Sequence, residues 1–102
     1  MRKMVKIYYN NKDIERLVSG CKSDTYKNIR NKIVFMKVLL AFKAILKVIG
    51  NVIELENYHW LRYDRNDKYS SVKLETTGVS GELYFTEKDN GTLIIINDLI
   101  IK

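Results

Sequence analysis

Ile33-Val34-Phe35-Met36-Lys37-Val38-Leu39-Leu40-Ala41-Phe42-Lys43-Ala44-Ile45-Leu46-Lys47-Val48-Ile49 is the stretch on which the fold turns. It is apolar enough to be tested as a membrane span. A span needs about 20 mostly apolar residues, and a lysine near its centre costs about 2.5–3.5 kcal/mol. Lys37, Lys43 and Lys47 therefore exclude that reading, and the stretch is expected to be a long helix of a soluble protein. Ser23 or Asp24 is the expected N-cap, since a short side-chain oxygen accepts from the free amides of a first turn. Gly50-Asn51 is the expected stop, because both residues tolerate the left-handed conformation common at helix ends.

At 100° per residue, Val34, Phe35, Val38, Leu39, Ala41, Phe42, Ile45, Leu46 and Ile49 gather on one broad face. Lys32, Lys43 and Lys47 fall opposite, with Ile29, Met36 and Leu40 among them. Met and Leu on a polar face call for a cover. One candidate is a neighbouring short helix over Asp13–Val18, and another is a partner protein seated on Lys32, Met36, Leu40, Lys43 and Lys47. Both remain open at this point.

Outward from the helix the chain reads as strands. Val5–Tyr9 precedes a polar turn at Asn10-Asn11. Lys68–Leu74 and Leu83–Thr86 carry the Tyr, Val, Leu and Phe of sheet segments. Thr77-Gly78 and Ser80-Gly81 punctuate the link between them. Lys88-Asp89-Asn90-Gly91 is a hairpin turn, since Asn-Gly takes positive φ cheaply. Thr92–Ile96 is a near-continuous apolar run, expected to be a central strand covered on both faces. The order is a strand, two helices and a three-stranded meander, which is an α+β fold in a single domain spanning residues 1–102.

The chain has 102 residues, 18 Lys and Arg against 12 Asp and Glu, and a net charge of +6. One small core is all that this length allows. The excess charge is local. Lys27, Arg30, Lys32, Lys37, Lys43 and Lys47 fall between Thr25 and Ile53 with no acid among them, and the remainder balances. Such a basic domain points to an anionic partner, nucleic acid or an acidic protein surface. Cys21 is the lone cysteine, without a base fixed near it in sequence, and asks for no oxidising compartment. The opening residues lack the pattern of a secretory signal, so the expected location is the cytoplasm. No P-loop, dinucleotide fingerprint or paired metal-ligand spacing occurs, so neither a cofactor nor a metal is expected.

The chemistry concentrates between Tyr58 and Ser70: Tyr58-His59-Trp60-Leu61-Arg62-Tyr63-Asp64-Arg65-Asn66-Asp67-Lys68-Tyr69-Ser70. Interleaved basic and aromatic residues suit RNA, because cations neutralise phosphates and flat rings stack on unpaired bases. His59 has the right side chain for proton transfer, and Arg62 and Arg65 for a crowded phosphate. Trp60, Tyr63, Lys68 and Lys73 are the further RNA-binding candidates. Against this stand a packed structural His59 beside Trp60, and a solvated loop whose charges make only weak surface pairs.

His59-x-Leu61-Arg62-x-Asp64-Arg65, followed by Tyr69-Ser70, resembles the "HPLKGDR…WS" motif of HigB-like toxins in the RelE/ParE toxin–antitoxin superfamily. The opening Tyr9-Asn10-Asn11-Lys12-Asp13-Ile14-Glu15-Arg16-Leu17 is similar to their start, and the order of elements agrees along nearly the whole chain. The resemblance implies a RelE/ParE-like α+β toxin that is neutralised by a cognate antitoxin. It also implies a ribosome-dependent, metal-free endoribonuclease acting on messenger RNA. His59 and Arg62 fall on the motif's His and Lys, which are implicated in cleavage. Arg65 falls on its Arg, to hold phosphate or order the loop. An acidic antitoxin segment would suit the helix strip from Lys32 to Lys47. Three positions depart from the pattern: Glu82 stands where the superfamily has an Arg, Trp60 replaces a Pro, and the tail keeps only Asp98 of "DYH". These departures make a catalytically silent binding protein the alternative, either an inhibitor of gyrase or an antitoxin-binding relative.

Overall fold

A computed structural model describes residues 4–26 and 28–102; Lys27, counted above in the basic segment, and the first three residues of the opening lie outside the described residues. Strand β1 (Lys6–Tyr9) leads into helix α1 (Lys12–Val18), followed by α2 (Lys32–Val48). Two short 3-10 turns, Val52–Asn57 and His59–Leu61, then lead to β2 (Asp64–Arg65), β3 (Ser70–Thr76), β4 (Val79–Lys88) and β5 (Leu93–Ile101). The sheet runs β1-β5-β4-β3-β2, with β1 parallel to β5 and every other pair antiparallel. The α+β expectation holds, with five strands in place of the four expected. The addition is β2, in a stretch where the sequence predicts no strand before Lys68. Among the described residues no helix is long and apolar enough to cross a membrane.

Helix α1 starts where Asn11 supplies its side-chain oxygen to the amides of Asp13 and Ile14, at 3.0 and 3.4 Å. Helix α2 does not start at Ser23 or Asp24. It begins at Lys32, after Asn31 in the left-handed conformation with φ 51°. Tertiary bonds override the helical pattern here. The Tyr26 hydroxyl donates to the Leu99 carbonyl at 2.8 Å, Thr25 donates to Asp13, and Asn31 Nδ2 donates to the Thr77 carbonyl at 3.1 Å. Continuing the helix backward would pull Tyr26 off the sheet. Ser23 is buried, and its hydroxyl has no hydrogen-bond partner among the described residues.

The helix ends at the expected place by a different device. Gly50 and Asn51 are not left-handed; Asn51 is extended and caps the following 3-10 turn. Its side chain accepts from the Ile53 amide at 3.0 Å, while Glu54 reaches back to the amides of Gly50 and Asn51 at 2.7 and 2.9 Å. This reciprocal capping box satisfies the free amides that follow the break.

The buried line of α2 is Phe35, Leu39, Phe42, Leu46 and Ile49. It is narrower than the broad face expected, and leaves Val34 and Ala41 exposed. It packs in one core with Val72, Leu74, Leu83, Phe85, Ile94, Ile96 and Leu99 of the sheet. Helix α1 adds Ile14, Leu17 and Val18. Met36 and Ile29 are drawn against the core, but Leu40 remains 48% exposed, so the face they share is covered only in part.

Strand β5 lies between β1 and β4, but it is covered on one face only: Ile94, Ile96 and Leu99 are buried, while Leu93 and Ile95 are half-buried. Helices α1 and α2 both contribute to the one core on the buried face, and the outward residues of β5 are half-buried or exposed. The hairpin turn falls where expected, with Asp89, Asn90 and Gly91 at φ 53°, 57° and 84°. Asn97 is an inserted bulge residue, since Phe85 pairs with Ile96 and Tyr84 with Asp98.

Ser80-Gly81 does not punctuate a turn but lies inside β4, and the turn is made at Gly78 with φ 89°. Gly81 is there for space. A Cβ at this position would stand 2.8 Å from Phe35 Cζ and 3.3 Å from Leu99 Cδ1. Gly81→Ala is expected to force the Phe35 ring aside and cost about 1–3 kcal/mol, read as a lower urea midpoint at unchanged slope. An undiminished midpoint would show that the ring has room to move.

Candidate functional site

The candidate residues ride on the 3-10 turn His59–Leu61. Leu55 and Leu61 are fully buried and anchor the turn to the core, which pushes its other side chains outward. The Arg62 amide donates to the His59 carbonyl at 3.1 Å and closes the turn. That bond brings the backbones of His59 and Arg62 together at the two ends of the turn. His59 is exposed, and its imidazole makes no hydrogen bond or ion pair among the described residues. Trp60 beside it is 46% exposed. The packed, satisfied histidine weighed from the sequence is not what the structure has.

Arg62 stands in the left-handed region at φ 46°. Asn and Asp enter that region readily, whereas a long side chain there is uncommon and strained by about 1 kcal/mol or more. Arg62→Gly is therefore expected to melt higher than Arg62→Ala, by about 1 kcal/mol of stability, although both lose the guanidinium. Equal melting of the two variants would remove the strain argument.

The two arginines do not converge. The Arg62 guanidinium lies 3.6 Å from Glu75, and that of Arg65 lies 3.4 Å from Glu87. Glu75 is near Ser80 by the β3–β4 register, at the opposite end of β4 from Glu87. At about 3.3 Å per strand residue the two carboxylates sit roughly 20 Å apart. Arg62 thus reaches to Glu75 on β3, while Arg65 turns away to a separate cluster.

That cluster is centred on Glu87, whose side chain is 13% exposed. Its carboxylate accepts from the hydroxyls of Tyr63 and Ser70 and pairs with Arg65. The Tyr63 ring stacks on Phe85, with centroids 6.3 Å apart and planes 10° from parallel. Burial first, then the hydrogen bond to Glu87 and its charge, push the Tyr63 pKa well above the ordinary tyrosine value. Tyr63 therefore turns both its ring and its hydroxyl toward the protein.

The loop from Asn66 to Tyr69 closes on itself. The Asn66 side chain accepts from the amides of Lys68 and Tyr69 at 2.9 and 3.1 Å, and the Asn66 amide donates to the Tyr69 carbonyl at 2.9 Å. Lys68 is exposed on this loop, and Tyr69 meets the edge of Tyr84 at a centroid distance of 5.2 Å. Lys73 is exposed on β3, paired in register with Glu82. The two share a cleft of about 180 Å³ with Glu75, Ser80, Tyr84 and Lys102. There the Glu82 carboxylate, chiefly through a hydrogen bond, raises the pKa of the Tyr84 hydroxyl.

Glu87 was missed in sequence because it lies outside the Tyr58–Ser70 stretch. Strand alternation carries the signal: Leu83, Phe85 and Glu87 share a face, and Leu83 and Phe85 are buried. A carboxylate at an inward position needs donors, and Tyr63, Ser70 and Arg65 are those donors. On the α2 strip, Lys32, Leu40 and Lys47 are exposed, whereas Met36 and Lys43 are half-buried. No family model, curated protein or solved structure matches this chain.

Proposed function

We propose that this chain is the toxin of a type II toxin–antitoxin pair on a RelE/ParE-like scaffold, cutting ribosome-bound messenger RNA without a metal. The observation that carries the reading is the exposed turn closed by the hydrogen bond from the Arg62 amide to the His59 carbonyl, with exposed Trp60 between them. His59 removes the proton of a ribose 2′-hydroxyl as that oxygen attacks the adjacent phosphorus. Arg62 compensates the charge that grows on the non-bridging oxygens. The new oxygen–phosphorus bond gives a 2′,3′-cyclic phosphate, and the departing 5′ oxygen takes a proton from solvent. Trp60 offers a face for an unpaired base, and Lys68 a charge for the backbone.

The Arg62–Glu75 pair is exposed at both ends, and such pairs contribute little, about 0–1 kcal/mol. An incoming phosphate displaces Glu75 at small cost. Arg65 has the other role weighed for it, ordering the loop through Glu87. The ribosome and a cognate antitoxin are the partners this function requires, and the cytoplasm is its place.

The second reading keeps the scaffold and drops the chemistry. Glu75 and Glu82 favour it, because they put two carboxylates into the cleft where Lys73 would meet a phosphate. Primer extension on cellular messenger RNA after brief induction separates the two readings. New 5′ ends within translated regions are the expected result. Growth arrest without new ends would replace cutting by binding, with gyrase the first target to assay.

A further inference from the structure

A cleft of about 490 Å³ opens where the α1–α2 connection meets the β3–β4 turn and the end of β5. Tyr26, Ile29, Val79 and Ile101 give it an apolar lining, the first and third buried and the others half-buried. Beside them stand Asn28, Arg30 and Lys102, all exposed. Among the described residues neither cation has an ion-pair partner, and the Asn28 side chain has no hydrogen bond. No acid lines the cleft among the described residues. Asp13 and Asp98, whose charges reach the Tyr26 hydroxyl, lie outside the lining and already accept from Thr25 and from the Leu99 amide.

The walls are fixed by bonds that leave these donors free. Tyr26 is tied to the Leu99 carbonyl at 2.8 Å, and Asn31 ties the start of α2 to Thr77 in the β3–β4 turn at 3.1 Å. The backbones of Ser80 and Lys102 exchange two hydrogen bonds, at 2.8 and 3.2 Å. The cleft is therefore formed in advance, and little ordering opposes binding. Its size falls in the range of roughly 300–1,000 Å³ typical of small-molecule sites, which combine apolar walls with a few polar groups.

We infer that this cleft takes a nucleoside monophosphate, with the phosphate on Arg30 and Lys102, the base on the apolar lining, and Asn28 at its polar edge. Charge selects the class. A phosphate monoester carries about −1.5 to −2 at pH 7, which two free cations match. A carboxylate, or a phosphodiester inside an RNA strand, brings only one charge. The planar fork of Arg30 suits two phosphate oxygens, and a side-chain amide offers the donors and the acceptor that a base edge complements. The inference is separate from RNA cleavage, since no residue of the His59 turn lines the cleft.

The test is amide NMR on the full chain, titrated in turn with adenosine 5′-monophosphate, adenosine, inorganic phosphate and a single-stranded uridine octamer. The monophosphate is expected to shift the amides of Asn28, Ile29, Arg30 and Gly78 in one saturable step, and to leave those of His59 and Arg62 in place. Adenosine and inorganic phosphate are each expected to bind at least about tenfold more weakly, because each keeps only half of the contacts. Arg30→Gln is expected to weaken the monophosphate at least about tenfold, and Arg30→Lys by less, since it keeps the charge and loses the fork. Arg30 is exposed and unpaired, so an unchanged circular-dichroism melt confirms that both variants are folded. The inference is overturned if the monophosphate shifts none of these amides, if inorganic phosphate binds as tightly, or if Arg30→Gln changes nothing. Shifts confined to Tyr58–Ser70 would overturn it by moving the nucleotide to the other site. An octamer that displaces the monophosphate at lower concentration would replace the small ligand by a nucleic-acid strand.

Discussion

His59→Ala is expected to abolish growth arrest and the new messenger RNA ends while leaving the melting curve in place. The two halves of this expectation have separate causes. His59 is exposed and holds nothing, so its removal falls among surface substitutions worth about ±0.5 kcal/mol. Proton transfer by a positioned side chain contributes about 10²–10⁴ in rate, which is roughly 3–5 kcal/mol of barrier. Arg62→Ala is expected to lose about 10²–10³, because it removes the charge that meets the phosphate. Arg65→Ala should cost far less activity, since its guanidinium is turned toward Glu87 rather than toward His59. Cleavage rates on a translated message, measured beside thermal melts, read all three. A double variant of His59 and Arg62 that still arrests growth would remove the nuclease reading and leave a binding protein on the same scaffold.

The sequence was most legible where a local pattern and the final packing agree. The period of Phe35, Leu39, Phe42 and Leu46 is that of a helix on a sheet, and it is what the core contains. Asp89-Asn90-Gly91 needs no tertiary help to turn, and it turned where expected. The start of α2 was not legible, because the bond that prevents an earlier start joins Tyr26 to Leu99, far along the chain. The coverage of β5 failed for a related reason. A run of isoleucines says that a strand is central, but not whether a second layer exists outside the sheet. At the candidate site, the sequence put His59 and Arg62 on one short segment, and they do stand at the two ends of one turn. The divergence of Arg62 and Arg65 could not, because Glu75 and Glu87 draw them apart from different strands.

Glu87→Ala is the substitution expected to cost the most stability near the site. It leaves the half-buried Tyr63 hydroxyl and the buried Ser70 hydroxyl without their acceptor, and an unmet buried polar group costs about 1–3 kcal/mol. The lost ion pair adds little, since Arg65 is 56% exposed and well screened. A total of about 2–4 kcal/mol follows, read as a lower urea midpoint. Glu87→Gln keeps one oxygen for the hydroxyls and is expected to cost about 1 kcal/mol. Adding Tyr63→Phe to Glu87→Ala should recover part of the loss, because the orphaned hydroxyl disappears; strict additivity would show that Tyr63 and Glu87 do not act together. Alkaline titration tests the same bond. The folded Tyr63 pKa is raised, so its contribution is fully present below the ordinary tyrosine value of about 10. As pH rises beyond that, the unfolded chain loses the proton first, and stability falls by at most about 1.4 kcal/mol per pH unit for this group. Tyr63→Phe removes this group's share of the slope, whereas a slope unchanged by the substitution would assign the alkaline loss to Tyr9, Tyr26 and Tyr84, whose pKa values are also raised. Because Tyr63 and Arg65 flank the loop that follows the His59 turn, a loosened Glu87 hub should also raise amide exchange at Tyr69, which gives the positioning role a readout independent of cleavage.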